Sequence, residues 1–270
     1  VQVNEFGAKA FKFYNVRYDY GRPFPWRMDD PRVAYPAFEK AQELGVNLIG
    51  VHKGVPLGPQ PVEHTRTFDM DGAAANFPDI NFVIFHVGLP WLDEVLWQLV
   101  RYPNLYASIA ATVNFIARQP RVFAEVLGKM MWWCGEDKII YGGESPIWHP
   151  QWALEEFWNF ELPQDIVEER GYPQLTEQSK RKILGENLAR LHGMSTSDAR
   201  ASTDRWLDRL GVTARRDDEV QKLSLGNQQR VQLVAALMTG PEALILDETF
   251  SGLDPEAVDS MAGLLREHCA

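Results

Sequence analysis

The sequence has little cysteine and no excess of positive charge, and each scarcity narrows what the protein can be. Its 270 residues hold two cysteines, Cys134 and Cys269. Lying far apart and outside any Cys-x-x-Cys pair, they build neither a disulfide framework nor a thiolate metal cluster, and they suit a reducing compartment. Lysine and arginine number 27 against 37 aspartates and glutamates, for a formal net charge of -10. No basic stripe is available for a phosphate backbone, which argues against nucleic acid as a partner and for a small molecule. No apolar run reaches the roughly 18 residues of a membrane-spanning helix, and no charged-then-apolar leader opens the chain. The expectation is a cytoplasmic protein without a membrane span. Two chemical motifs are also missing. None of the six histidines pairs with another at i, i+2, and no G-x-x-x-x-G-K-[ST] loop is present to cradle nucleotide phosphates.

What is present is apolar and periodic. A hydrophobic share of 45% with nine tryptophans can fill a substantial core. Asn81 to Leu89 is an apolar run that carries His86 near its end and stops at Gly88 and Pro90. Such a continuous Val/Ile/Phe run suits a strand covered on both faces, as in parallel α/β sheets. Val46–Gly54, with His52, and Lys138–Pro146, with Glu144, share the design. Earlier, Lys9–Val16 reads as a strand followed by a Pro-rich loop around Arg22–Trp26. Helical spacing follows at Pro31–Leu44, and then near 71–77, 91–101, 121–133 and from 151, with a last helix from Thr176 to Leu191. These make five β-then-α units, which build a doubly wound sheet or part of a (β/α)8 barrel. In barrels, polar residues at the C-terminal ends of strands carry the chemistry. His52, His86 and Glu144 would converge there as ligands for zinc, manganese or iron. The tryptophans of this part, Trp91, Trp97, Trp132 and Trp133 among them, read as helix-to-barrel packing.

Composition changes at Met194, where Ser195–Ser202 is small and polar, so the domains are placed at 1–194 and 195–270. The second is mostly helical, with helices at Ala201–Leu210 and Val220–Ala243 and one apolar strand, Ala243–Asp247.

Residues 1–194 resemble the C-terminal part of a metal-dependent hydrolase of the amidohydrolase superfamily, in the branch that includes decarboxylases and lactonases. The resemblance is carried by Gly7–Tyr14, the His52 strand, Phe85-His86-Val87-Gly88, Tyr141–Pro146 and Lys182–Leu191. It implies a (β/α)8 barrel holding one or two metals through a His-x-His on the first strand, a histidine on each of the fifth and sixth, and an Asp on the eighth. His52 and His86 match the fifth and sixth positions, and Glu144 stands where the family has Asp. The implied activity is hydrolysis or decarboxylation of a small carbonyl or carboxylate compound. The implied cofactor is a divalent metal, zinc before manganese or iron, on His52, His86 and Glu144, with Glu144 also moving the proton. The first-strand ligands and the first three strands have no counterpart here, so weak metal binding is expected. Lys12 matches where some relatives carry a metal-bridging lysine, although a salt-bridged or solvated lysine is the plainer reading. Five strands leave open edges, which Ala243–Asp247 or a second copy of the chain would cover, hence the expectation of a homo-oligomer.

The last part resembles the signature motif, Walker B strand and D-loop of an ABC transporter ATPase, in Leu223–Arg230, Leu244–Glu248 and Ser251–Pro255. That resemblance implies γ-phosphate contacts from Ser224 and Gly226, magnesium orientation by Asp247 and water orientation by Glu248. The missing phosphate loop argues against autonomous binding of ATP and magnesium. The chain therefore reads as a chimera of two partial domains. The alternative functions are a signature half-site lent to a partner, or a catalytically silent scaffold.

Overall fold

The computed structural model describes residues 3–4, 8–19, 22–56, 61–144, 150–218, 222–238 and 255–268. One compact unit is Lys9–Gly193, and a second contains the chain from Met194 onward.

The first unit is an α/β layer built on a parallel sheet. Its elements are β1 (Phe11–Tyr14), β2 (Val16–Asp19), β3 (Arg22–Pro25), α1 (Tyr35–Glu43), β4 (Leu48–His52), α2 (Met70–Asn76), β5 (Asn81–Ile84), α3 (Leu92–Arg101), β6 (Leu105–Ser108), α4 (Pro120–Cys134), β7 (Ile139–Ile140), α5 (Pro150–Asn159), α6 (Gln164–Arg170), α7 (Glu177–Arg181) and α8 (Asn187–Leu191). The sheet order is β1-β4-β5-β6-β7, every pair parallel, with Tyr14 beside His52, Val51 beside Ile84, Ile84 beside Ala107 and Ser108 beside Ile140. Strands in sequence order joined by helical crossovers form the arc of a (β/α)8 barrel.

Burial explains why these runs are strands. All five residues of β4 and all four of β6 are buried, as in a sheet covered on both faces. On one face Leu48, Val83, Tyr106 and Ile140 pack with Leu191 of α8. On the other, Ile49, Phe82, Ile84, Leu105 and Ile139 are fully buried, and Phe38 of α1 meets Phe82 and Phe77 edge-on at 5.3 and 5.1 Å. The closing helix runs through α7, a π-helical turn at Lys182–Glu186, and α8. Thr176 caps it by accepting from the Ser179 amide. Asn187 pins it to the sheet by donating to the Glu136 and Ile139 carbonyls at 2.8 Å.

Three expectations change here. The Pro-rich stretch is not a plain loop: β2 and β3 pair antiparallel, Val16 opposite Pro25, because a two-stranded hairpin leaves outward N–H positions where proline costs nothing. The strand before Glu144 is only two residues long, so Glu144 sits in the loop beyond it. Trp97 and Trp132 are 56% and 55% exposed rather than packed between helix and sheet. They stand on the outer sides of α3 and α4, where Trp133 packs against both, with ring centroids 4.8 and 5.2 Å away.

The second unit contains α9 (Thr196–Arg209), α10 (Leu225–Leu237) and α11 (Pro255–His268). Its core is Trp206, Leu210, Val212, Leu233, Val234, Leu237 and Met261. Ser195 and Ser224 cap α9 and α10, each accepting from the amide three residues on. The sequence places α10's start at Val220 and its end at Ala243. The helix instead begins behind the Ser224 cap, because a serine with extended φ/ψ sets the first turn. The expected strand Ala243–Asp247 lies outside the described residues.

Candidate metal-binding site at the C-terminal edge of the sheet

The strained backbone of this unit is gathered in one place. Among the described residues, the non-glycine residues with positive φ are Val55 (39°), His86 (60°), Val87 (44°), Ala111 (60°) and Glu144 (50°). They lie in the loops that follow β4, β5, β6 and β7, so each of these four strands turns through a strained residue at its C-terminal end. For β-branched valine this conformation is a genuine outlier. Such strain persists only where the surroundings over-determine it, and it concentrates at functional sites. Nothing in a single sequence marks Val55 or Ala111. Their signal is purely conformational.

At this edge two of the expected ligands meet. His52 ends β4, and His86 lies in the turn Phe85–Gly88 directly after β5. Both are buried, and His52 Nδ1 lies 3.1 Å from His86 Nε2 with the rings 67° apart. The outer nitrogens face backbone carbonyls: His86 Nδ1 lies 3.0 Å from the Ala110 oxygen and His52 Nε2 3.4 Å from the Val55 oxygen. A carbonyl only accepts, so each outer nitrogen carries the proton when it bonds there. With its proton on Nδ1, His86 presents the Nε2 lone pair to His52 Nδ1, which either donates a hydrogen bond to it or, with its own proton on Nε2 toward the Val55 carbonyl, leaves two facing lone pairs that a cation would bridge.

Glu144 is placed differently. Its Oε1 lies 3.8 Å from His86 Nδ1, on the edge of the ring opposite His52. Among the described residues no group of three or more His, Cys, Asp or Glu side chains is arranged to hold a metal ion. Tyr14 stacks on His52 at 5.3 Å. The Lys12 ammonium lies 3.9 Å over the Phe85 ring, a cation–π contact beside the pair. The His64 carbonyl accepts from Lys53 at 3.1 Å, and the His64 ring nitrogen Nδ1 faces the Trp26 oxygen. His149 lies outside the described residues.

Burial, and then the neighbouring His86, pull the His52 pKa down from 6.5 to about 4, and burial also lowers that of His86. Both imidazoles are therefore neutral at pH 7, the form that binds metals. A depressed histidine pKa means the unfolded chain takes up a proton that the folded one refuses. In metal-free protein, stability is thus complete above pH 6.5 and falls as the pH drops to about 4, where the loss levels off. At 1.36 kcal/mol per unit the expected loss is at most about 2 kcal/mol by pH 5, with the remainder below it. Urea titrations in chelator at pH 8, 6 and 5 measure it, and a flat profile would contradict it.

In the second unit Ser224 and Gly226 stand at the N-terminal end of α10, with the Ser224 oxygen accepting from the Asn227 amide at 3.4 Å. Asp247 and Glu248 lie outside the described residues.

The family model described as amidohydrolase matches residues 1–194, and that described as ABC transporter matches residues 159–251. The ABC transporter ATP-binding protein YhaQ of Bacillus subtilis is 43% identical over 95 residues, 35% of this chain and 30% of its own length. An uncharacterized TIM-barrel protein of Bordetella bronchiseptica aligns with a TM-score of 0.46 at 23% identity, over 63% of this chain and 53% of that one. The 2,6-dihydroxybenzoate decarboxylase from Rhizobium aligns with a TM-score of 0.47 at 18% identity, over 71% and 64%. The chain spans about a third of the length of the curated relatives it matches. Among the described residues no helix is long and apolar enough to cross a membrane.

Proposed function

The chain belongs to the amidohydrolase family, and on that premise we propose that its barrel part binds one divalent metal ion and serves hydrolysis or decarboxylation of a small carbonyl or carboxylate compound. The observation that carries the reading is the pair of facing nitrogens, His52 Nδ1 and His86 Nε2, 3.1 Å apart. Two imidazole nitrogens on one tetrahedral zinc, each about 2.0–2.1 Å from it, stand about 3.3 Å apart. The two histidines are therefore already at chelating separation and neutral, and the donor set fits zinc first, with manganese or iron also suited. The chemistry such an ion supplies is Lewis-acid polarisation of water and of a carbonyl.

The residues of the chain would do the rest. The Ala110 carbonyl holds His86 by its Nδ1–H, which fixes the tautomer and points Nε2 at the site. Glu144, with a fifth of its side chain exposed and its Oε1 3.8 Å from the His86 Nδ1 edge, away from the facing nitrogens, would have to turn toward the ion to accept a proton from water and return it to the product.

The test is elemental mass spectrometry on protein purified without added metal or chelator, beside a His86→Ala variant. Close to one zinc, manganese or iron per chain, lost in the variant, is the expected result. Absence of metal in both proteins would refute the reading.

A further inference from the structure

Beside the histidine pair opens a pocket of about 740 Å³ that the metal chemistry does not use. Its walls include the two strained residues Val55 and Ala111, and the aromatic side chains of Phe115 and Trp152. Val55 presents its carbonyl to His52, and Ala111 follows the residue that accepts from His86. The lining is almost wholly apolar, with one cation at its rim. Arg118 is exposed and has no carboxylate partner among the described residues.

From these features we propose that the pocket is a binding site for an apolar organic anion larger than a single ring, anchored by its charge on Arg118 and by its body between Phe115 and Trp152. Three observations carry it. Cavities of roughly 300–1,000 Å³ hold ligands of several rings or a chain of comparable bulk, and this one lies in that range. The apolar lining repels a ligand charged along its length, and aromatic walls favour a flat or extended apolar body. The guanidinium gives a charge-assisted, bidentate grip for one carboxylate or sulfonate. The assignment goes beyond the metal reading and needs no metal.

The test uses two fluorescent probes of similar apolar bulk, anilinonaphthalene sulfonate as the anion and N-phenylnaphthylamine as its neutral counterpart. They are titrated into the full chain with and without chelator, with native circular dichroism checked for each variant. The expected result is one saturable site per chain for the anion, insensitive to chelator. Arg118→Gln should weaken the anion roughly tenfold, the scale of one charge-assisted hydrogen bond, and the neutral probe less than about twofold. Ala117→Trp, at an exposed position on the pocket wall, should weaken both. Absence of a saturable site, anion binding unchanged in either variant, or equal weakening of both probes by Arg118→Gln would overturn the proposal. Probe binding that chelator leaves unchanged separates this site from the metal site.

Discussion

Replacing Lys53 with methionine should cost the barrel unit about 3–5 kcal/mol, the scale on which breaking one side of a buried ion pair acts. The Lys53 and Asp69 side chains are 0% and 2% exposed, and Lys53 Nζ lies 2.7 Å from Asp69 Oδ1. Nζ also donates to the His64 carbonyl at 3.1 Å, and the Met28 amide donates to Asp69 Oδ2 at 2.8 Å. Burial lowers the Lys53 pKa, and the Asp69 charge is the largest influence holding it up. Methionine keeps the volume of the stem, so the loss isolates the electrostatics from a cavity. The aspartate left behind has a single backbone donor and almost no water. Against a total domain stability of about 5–15 kcal/mol the change is large.

The pair also does positional work. Lys53 directly follows His52, and Asp69 sits at the start of α2, so the bridge ties the end of β4 to the next helix and to the segment around Met28. Urea unfolding followed by tryptophan fluorescence suits the measurement, since eight of the nine tryptophans precede Met194. The double variant Lys53→Met, Asp69→Asn should recover part of the loss, because no unpaired charge then remains. A single-variant loss below about 1 kcal/mol, the value of an exposed pair, would mean that water reaches the bridge.

The sequence makes some of this site legible and hides the rest for physical reasons. Runs such as Leu48–His52 and Asn81–Ile84 announce themselves because a strand covered on both faces must be apolar at every position. A histidine at the end of each is conspicuous for the same reason. The separation of His52 and His86 is not legible: it depends on the parallel register of β4 with β5 and on the left-handed turn at His86, which no composition encodes. Glu144 is legible as a carboxylate after an apolar run. Its approach to the wrong edge of His86 follows from β7 ending at Ile140 and from a positive φ at Glu144 itself. The Lys53–Asp69 bridge is invisible because a lysine after a strand end is ordinarily solvated. The hairpin of β2 and β3 is masked by its prolines, which argue for a loop wherever both strands of a hairpin are not considered together.

Gly54→Ala is the substitution expected to open the histidine pair. Gly54 has φ of +70°, and a Cβ there would overlap the Leu89 carbonyl oxygen and stand 2.6 Å from the Leu89 amide nitrogen. Backbone cannot swing aside as a side chain can, so the loops after β4 and β5 must separate. The contacts at stake are the Gly54 amide donating to the Thr65 carbonyl at 2.7 Å and the Val55 amide donating to the Leu89 carbonyl at 2.6 Å. The second bond brings the segment after His52 against the segment after His86, and the first ties it to the loop before α2. Gly45 supplies the control: its φ is +73°, yet nothing lies within 4 Å of a Cβ built there. Gly45→Ala should therefore cost only the left-handed conformation, about 1 kcal/mol. Gly54→Ala adds the backbone clash and should reach about 3 kcal/mol or more. If the proposed metal site is occupied, Gly54→Ala should also weaken metal binding at least tenfold, while Gly45→Ala leaves that binding unchanged. Equal stability and equal zinc affinity in the two variants would show that the close approach of these loops does not set the distance between His52 and His86.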